Sequence, residues 1–417
     1  METEVLIVGG GPAGAATAIH LARLLPSLRD RVLVIDKQKF PREKPCGGGL
    51  SGRALAALGE MGVAVSVPSV ATNRVQYRFG ERLARYEVAG ACRVVRRAEF
   101  DAMLLREAAA RGIEVAEDEA LVSLDASGAR PRVVTTRRAL APRVVVAADG
   151  AASLARRLAE FPAPRFFARL HLLEIPVREE STPEFVDGAF TFDYTLVPSG
   201  IQGYVWDFPS RIGGRPFLNS GIFHRNARGP EPSRERLLSF LRAHAARRGV
   251  LAVGARLRSY PDVEYDPGAP LAKPGVLLAG SAAGVNGLTG EGIWQSFEYG
   301  RLAAESIAAA YGRDDFRLAD YGDRVARSPM GRDLALSRRI ADLFYGRFFW
   351  ALYSFQEENE DLRLAYIRSF AGQFDLRRLP MAAVAARWWW HLARRRHRAP
   401  RPGPGPWTEA LASDGAA

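Results

Sequence analysis

Three glycines near the amino terminus, Gly9, Gly11 and Gly14, are spaced to hold a pyrophosphate. In a Gly-x-Gly-x-x-Gly loop after a strand, the first glycine permits a tight turn and the second lets the backbone approach the phosphates. The third lets the next helix pack on the strand. Pro12 and Ala13 open that helix, whose first N–H groups and positive dipole end face the anion. Asp36 ends the next apolar run, with Lys37 beside it, where a carboxylate accepts both hydroxyls of a ribose. A second chemical stretch, Phe40 to Leu55, follows directly: PheProArgGluLysProCysGlyGlyGlyLeu, then SerGlyArgAlaLeu. Its one thiol, Cys46, lies close to Lys44 in a glycine-rich turn, and reads either as a thiol that contacts a bound ligand or as a small apolar residue that fits there. No histidine stands near it to act as a base, so positioning of a ligand is the better reading than covalent catalysis. A third set, Tyr204, Trp206 and Phe208, alternates with Val205 and Asp207. On a strand this puts the three rings on one face, either as a wall for an apolar ligand or as the core side of a sheet.

The elements that must carry these residues are legible around them. Thr3–Val8 and Arg31–Asp36 read as buried strands flanking a helix over Ala13–Leu25 that stops at Pro26, which makes one parallel βαβ unit. A helix-bearing unit spans Arg93–Arg111, and a buried strand, Arg143–Ala148, runs into Asp149-Gly150. Between about Pro162 and Pro270 the texture changes to alternating stretches separated by Gly and Pro turns, such as 190–196 and 204–209, the mark of antiparallel strands. Gly275–Gly280 returns to a buried strand, a glycine-rich turn follows, and a helix is expected from about Gly292 to Ala310. Aromatic helices fill Pro329–Phe370. The expected class is α/β. A discontinuous Rossmann-like nucleotide domain (1–161 and 271–325) carries an inserted antiparallel sheet domain (162–270). A helical region (326–398) and a flexible tail (399–417) follow.

The three sets, in this order, resemble the geranylgeranyl reductase family of flavoproteins, within the para-hydroxybenzoate hydroxylase-like superfamily. Pro45–Gly49 resembles the family's Pro-Cys-Gly-Gly-Gly signature, Val144–Arg157 its Asp-Gly motif, and Gly275–Ile293 the motif that wraps ribitol and flavin. The glycine loop alone does not separate NAD from FAD; the resemblance, over about residues 4–310, implies FAD. It implies cofactor contacts from Asp149, Gly150, Ser281, Gly290, Glu291, Gly292 and Ile293, and phosphate contact from Arg97. It places Cys46 and Gly47 near the isoalloxazine and has Tyr204 and Trp206 line the substrate cavity, so these four are the candidate catalytic positions. Glu291 belongs to the flavin turn rather than acting as an acid. One departure stands out: Gly280-Ser281 replaces the family's Gly-Asp. A neutral hydroxyl there gives up a charge-assisted bond to ribitol, which implies a weaker hold on FAD.

Reduction of a carbon–carbon double bond in an isoprenoid or other apolar substrate is the activity this resemblance implies. No second dinucleotide loop exists, so the reductant is NAD(P)H docking transiently or a reduced electron carrier. The rivals are a flavin-dependent halogenase, an aromatic monooxygenase, and a non-catalytic flavoprotein. Halogenases need a tunnel lysine, and none stands between Lys44 and Lys273.

Composition trims the rest. The chain has 417 residues and a formal charge of +12, but its basic residues are spread among 46 acidic ones and only four are lysines, so no nucleic-acid surface is expected. Cys46 and Cys92 are too few for a disulfide framework and fit a reducing cytosol. No Cys/His spacing suits a metal. Basic charge concentrates at the C-terminus, where Arg377, Arg378, Arg387, Arg394, Arg395, Arg396 and Arg398 accompany Trp388, Trp389 and Trp390. That combination suits peripheral attachment to an anionic membrane, or a basic helix packing its tryptophans on the protein's own core.

Overall fold

The computed structural model describes residues 2–227, 231–250, 255–285, 287–346 and 348–395. Runs of branched aliphatics offer no polar face, so they form strands covered on both sides. β1 (Val5–Val8) and β2 (Val32–Ile35) are such runs, wholly buried, and α1 (Pro12–Leu24) crosses between them. They pair in parallel, Val5 opposite Val32 through Val8 opposite Ile35. The chain then leaves this sheet for a long hairpin, β3 (Ser69–Phe79) and β4 (Arg82–Val95), and α2 (Arg97–Ala110) brings it back. β5 (Val144–Ala147) pairs in parallel with the other edge of β1. Val276–Leu278 and Glu114–Ala116 extend the parallel order on either side, and short Ala272–Lys273 closes one edge antiparallel. This is the expected discontinuous Rossmann-like half.

The second sheet holds β6 (Phe167–Pro176), β7 (Gly203–Ile212), β8 (Arg215–Arg225) and β9 (Arg256–Val263), all antiparallel neighbours. Ala189–Asp193 pairs antiparallel with β7 but parallel with β3. Through that pairing β3, β4 and Gly49–Ser51 join it in one eight-stranded sheet. The sheet is antiparallel apart from the pairing of Ala189–Asp193 with β3, and it takes in strands from before residue 162. Strands are recruited by hydrogen-bonding edge and apolar face, not by chain contiguity, and a parallel pair needs the long connection that the nucleotide half supplies. The hairpin's inward residues Val75, Tyr77 and Tyr86 complete an aromatic cluster that Ala189–Asp193 would otherwise leave open.

α3 (Ile293–Arg313) lies along α1, and Gly300 lets the two approach: a Cβ there would lie 2.7 Å from the Thr17 amide nitrogen. The expected helical C-terminus follows as Pro329–Phe344, α4 (Phe349–Glu358), Glu360–Phe370 and α5 (Met381–Arg395). Arg396, Arg398 and the tail at 399–417 lie outside the described residues. Among the described residues no helix is long and apolar enough to cross a membrane.

Candidate cofactor and substrate site

Backbone geometry builds the phosphate cradle. Gly9 has φ +106°, and a Cβ there would meet the Ala148 carbonyl oxygen at 2.5 Å; one at Gly14 would lie 1.9 Å from the Gly9 oxygen. No side chain fits at either place. α1 opens at Pro12 from an N-cap glycine, Gly11, with no side-chain cap and no acidic residue in its first turn. Its free N–H end is therefore left for an anion. Asp36 accepts from the Gly10 and Gln38 amides, each at 2.9 Å. Each carboxylate oxygen keeps a lone pair for a ribose hydroxyl. Lys37 is exposed on the turn beyond.

Arginines surround this cradle in a different way from the one expected. Arg97 is buried and spends its guanidinium on Asp101, at 2.7 and 2.9 Å, with Cys46 beside it. It therefore organises the loop from behind. The guanidinium closest to the glycines is Arg42, 3.4 Å from where a Gly11 Cβ would stand, bridging Asp101 at 3.2 Å and lying 3.8 Å from Asp36. Sequence reading passed over Arg42 because it sits among the prolines before the signature. Asp149 serves the fold: it accepts from the Leu154 and Ala155 amides at 2.7 and 3.0 Å and from the Ser153 hydroxyl, capping the short helix Leu154–Leu158. Gly150, at φ +85°, leaves room for the Tyr260 hydroxyl, 2.7 Å from a would-be Cβ.

Ser281 does not stand alone. Gly280, at φ +63°, tucks under Ala13, so the turn sits over the start of α1. The Ser281 hydroxyl faces the carboxylate of Asp262, delivered from β9, and favours its charged form. Burial raises the Asp262 pKa and Lys44 opposes it. Burial in turn pushes the Lys44 amine down to about 7, against the attraction of Asp262; its nitrogen lies 2.8 Å from the centre of the Tyr260 ring. A carboxylate thus stands beside the Ser281 hydroxyl.

The flavin loop and the aromatic strand are joined by hydrogen bonds. The Trp206 indole donates to Asn219 Oδ1, and Asn219 Nδ2 donates to the Cys46 carbonyl, both at 2.9 Å. The Cys46 thiol accepts from the Gly48 amide at 3.4 Å. Gly47 lies against the rings: a Cβ there would be 3.0 Å from Phe208 and 3.3 Å from the Trp206 nitrogen. The Tyr204 hydroxyl donates to the Thr289 carbonyl, tying the same face to the Gly290 turn. All three rings are buried, among Phe190, Phe192 and Phe223. Val205 and Asp207 face the other way, and Asp207 pairs with His244 at 2.8 Å and Arg248 at 2.5 Å. Asn219, unremarked in the sequence, occupies the register position opposite Phe208.

At the turn, Gly290 has φ +62° and Gly292 is the uncapped N-cap of α3, which Ile293 begins. Glu291 is held between the Ser51 hydroxyl and Arg53 (3.2 Å), which in turn reaches Asp333 and covers the Trp294 ring at 4.1 Å. Burial raises its pKa, with Arg53 and Ser51 pulling the other way. The two uncapped helix ends and the glycine cradle supply donors, and the oriented carboxylate an acceptor, in a set that fits FAD.

The FAD binding domain family matches residues 2–285. Among characterised proteins, the menaquinone reductase of Mycobacterium tuberculosis is 29% identical over 375 residues, covering 82% of this chain and 83% of its own length. Digeranylgeranylglycerophospholipid reductase 1 of Methanothermobacter thermautotrophicus is 26% identical over 378 residues, covering 82% and 86%. Among solved structures, a geranylgeranyl bacteriochlorophyll reductase-like protein from Thermoplasma acidophilum superposes with TM-score 0.68 at 22% identity, covering 82% of this chain and 88% of that one. A flavin-dependent brominase superposes with TM-score 0.70 at 19% identity, covering 95% and 100%; at such identities the likeness is one of fold.

Proposed function

The chain belongs to the FAD binding domain family and is an FAD-dependent oxidoreductase, and from that premise we propose that it reduces a carbon–carbon double bond in an isoprenoid or other apolar substrate. The observation that carries this reading is the aromatic face of β7. Tyr204, Trp206 and Phe208 back onto Gly47 and Gly290, the two turns that the resemblance puts at the flavin. Such a face offers an alkene area without hydrogen-bonding demands. Reduced FAD, which the cradle of Gly9, Gly11 and Gly14 with Asp36 would hold, would supply a hydride to one alkene carbon, and the other would take a proton from water. NAD(P)H or a small reduced electron carrier replaces the electron pair.

The chain's own residues position and shield. Asn219 fixes the Cys46 carbonyl and the Trp206 indole together, so loop and wall keep one spacing. Holding reactants in line is worth roughly 7–11 kcal/mol of barrier. The halogenase alternative lacks its lysine at this face. Lys44 lies over Tyr260, and Lys273 is spent on the carbonyls of Ala159 and Glu160 at 2.9 and 2.7 Å. Names of the reductase relatives, each describing its own protein, favour the same reading over a monooxygenase.

The test is anaerobic. Chemically reduced enzyme is mixed with prenyl quinones and prenyl phospholipids, and products are weighed by mass spectrometry for a gain of two hydrogens. A hydroxylated product in air, or a halogenated one with chloride and oxygen, would overturn the assignment.

A further inference from the structure

α5 carries three consecutive tryptophans, and successive helical residues are about 100° apart, so they cannot share one face. Trp388 and His391, three residues apart, turn inward. The Trp388 ring meets Phe355 of α4 edge-on at 5.3 Å, and His391 hydrogen-bonds Ser354 at 2.9 Å and Glu358 at 2.8 Å. Trp389 and Trp390 turn outward, 68% and 60% exposed, and Met381 is 56% exposed. Between them Ala382, Ala385 and Ala386 are also exposed. The outer side of α5 is therefore apolar over much of its length, although its inner side already supplies the contacts that dock it. Large exposed rings beside one another on a helix mark an interaction surface, not ordinary surface noise.

Charge says what kind of surface they meet. No Asp or Glu occurs between Asp375 and Glu409, whereas arginines recur throughout that stretch. Within α5, Arg394 lies over the Trp390 ring at 4.5 Å, and Arg387 is exposed beside the tryptophans while pairing with Asp361. Tryptophan rings flanked by arginine suit the headgroup layer, where the ring sits at the acyl boundary and the guanidinium meets phosphate. We propose that the outward face of α5, centred on Trp389 and Trp390, docks the protein onto an anionic lipid bilayer without crossing it. The inference is independent of the reaction proposed above, although an apolar substrate drawn from a bilayer would make the two serve each other.

The experiment is vesicle sedimentation of the full chain, with FAD bound, against phosphatidylcholine vesicles and vesicles containing phosphatidylglycerol. Point variants are preferable to truncation, because removing α5 would strip Phe355 of its Trp388 contact. The expected result is pelleting with the anionic vesicles, weakened by salt, and little with the neutral ones. W389A/W390A should lower the apparent affinity about tenfold or more while leaving the flavin spectrum and thermal midpoint unchanged. Arg394→Glu should weaken binding to anionic vesicles in the same direction. Wild-type protein that stays in the supernatant, or a double variant that pellets as well as wild type, would overturn the proposal. So would concentration-dependent self-association abolished by W389A/W390A without vesicle binding, which would assign the face to a second copy of the chain.

Discussion

At the residue scale, the cofactor site turns on where a single carboxylate stands. Serine at position 281 reads in the sequence as a lost charge, but β9 brings Asp262 to its hydroxyl, with Lys44 nearby. Asp262→Asn should weaken FAD binding several-fold, as expected when a charged acceptor becomes neutral at a cost of about 1 kcal/mol. Ser281→Asp should not tighten binding, because it sets a second carboxylate against the first. The pair S281D/D262N should restore it. Fluorescence titration of apoprotein with FAD reads all three, and tighter binding by Ser281→Asp alone would show that Asp262 does not fill this role. On the other face of the site, Trp206→Ala removes the ring that Asn219 holds against the Cys46 carbonyl. Turnover in the anaerobic assay should fall by at least about tenfold with the flavin spectrum largely retained. A variant of undiminished rate would reduce the aromatic strand to core packing.

At the element scale, β8 contains a device for pH-dependent stability. His224 Nδ1 accepts the Gln202 amide at 3.1 Å, which requires the unprotonated nitrogen. Burial, then Arg169 and Arg225, lowers the pKa of this histidine to about 4. Between that value and its ordinary 6.5 the unfolded chain binds a proton that the folded chain refuses, so stability rises with pH across this window and is lost on acidification through it. His224→Asn keeps an acceptor without the titration. Its urea midpoint should change less than wild type's between pH 7.5 and pH 5, and an unchanged pH dependence would remove His224 as the cause. The same scale shows what sequence reading can see. β1, α1, β2, β5 and α3 were legible because buried parallel strands and glycine turns are written locally, in runs and spacings. β3 and β4 were not, since nothing local in Ser69–Val95 says which distant edge it joins. Asn219 and Asp262 were missed for a related reason. Each faces a residue in a separate turn or loop, Asn219 the Cys46 carbonyl and Asp262 both Ser281 and Lys44, and a lone polar residue on a strand carries no local sign of its partner.

At the scale of the whole molecule, the two sheets are interleaved in the chain, so neither half is a transplantable unit. A fragment covering 162–270 contains β6 to β9 but lacks the hairpin that covers the edge of Ala189–Asp193. Expressed alone it should aggregate or lack cooperative unfolding. Appending residues 69–95 should improve its solubility, and a sharply melting 162–270 fragment would refute this account of the sheet. The same interleaving sets a timetable for synthesis. β3 and β4 leave the ribosome well before the parallel partner of β3 exists, and at ordinary elongation rates the interval is on the order of ten seconds. Through that time β3 and β4, with Gly49–Ser51 on the far side, carry Val75, Tyr77 and Tyr86 without the rings that later cover them, beside an open edge that any other strand can borrow. The nucleotide half is being made during this wait, so the protein's most vulnerable moment falls in mid-translation, while that edge is still unpaired.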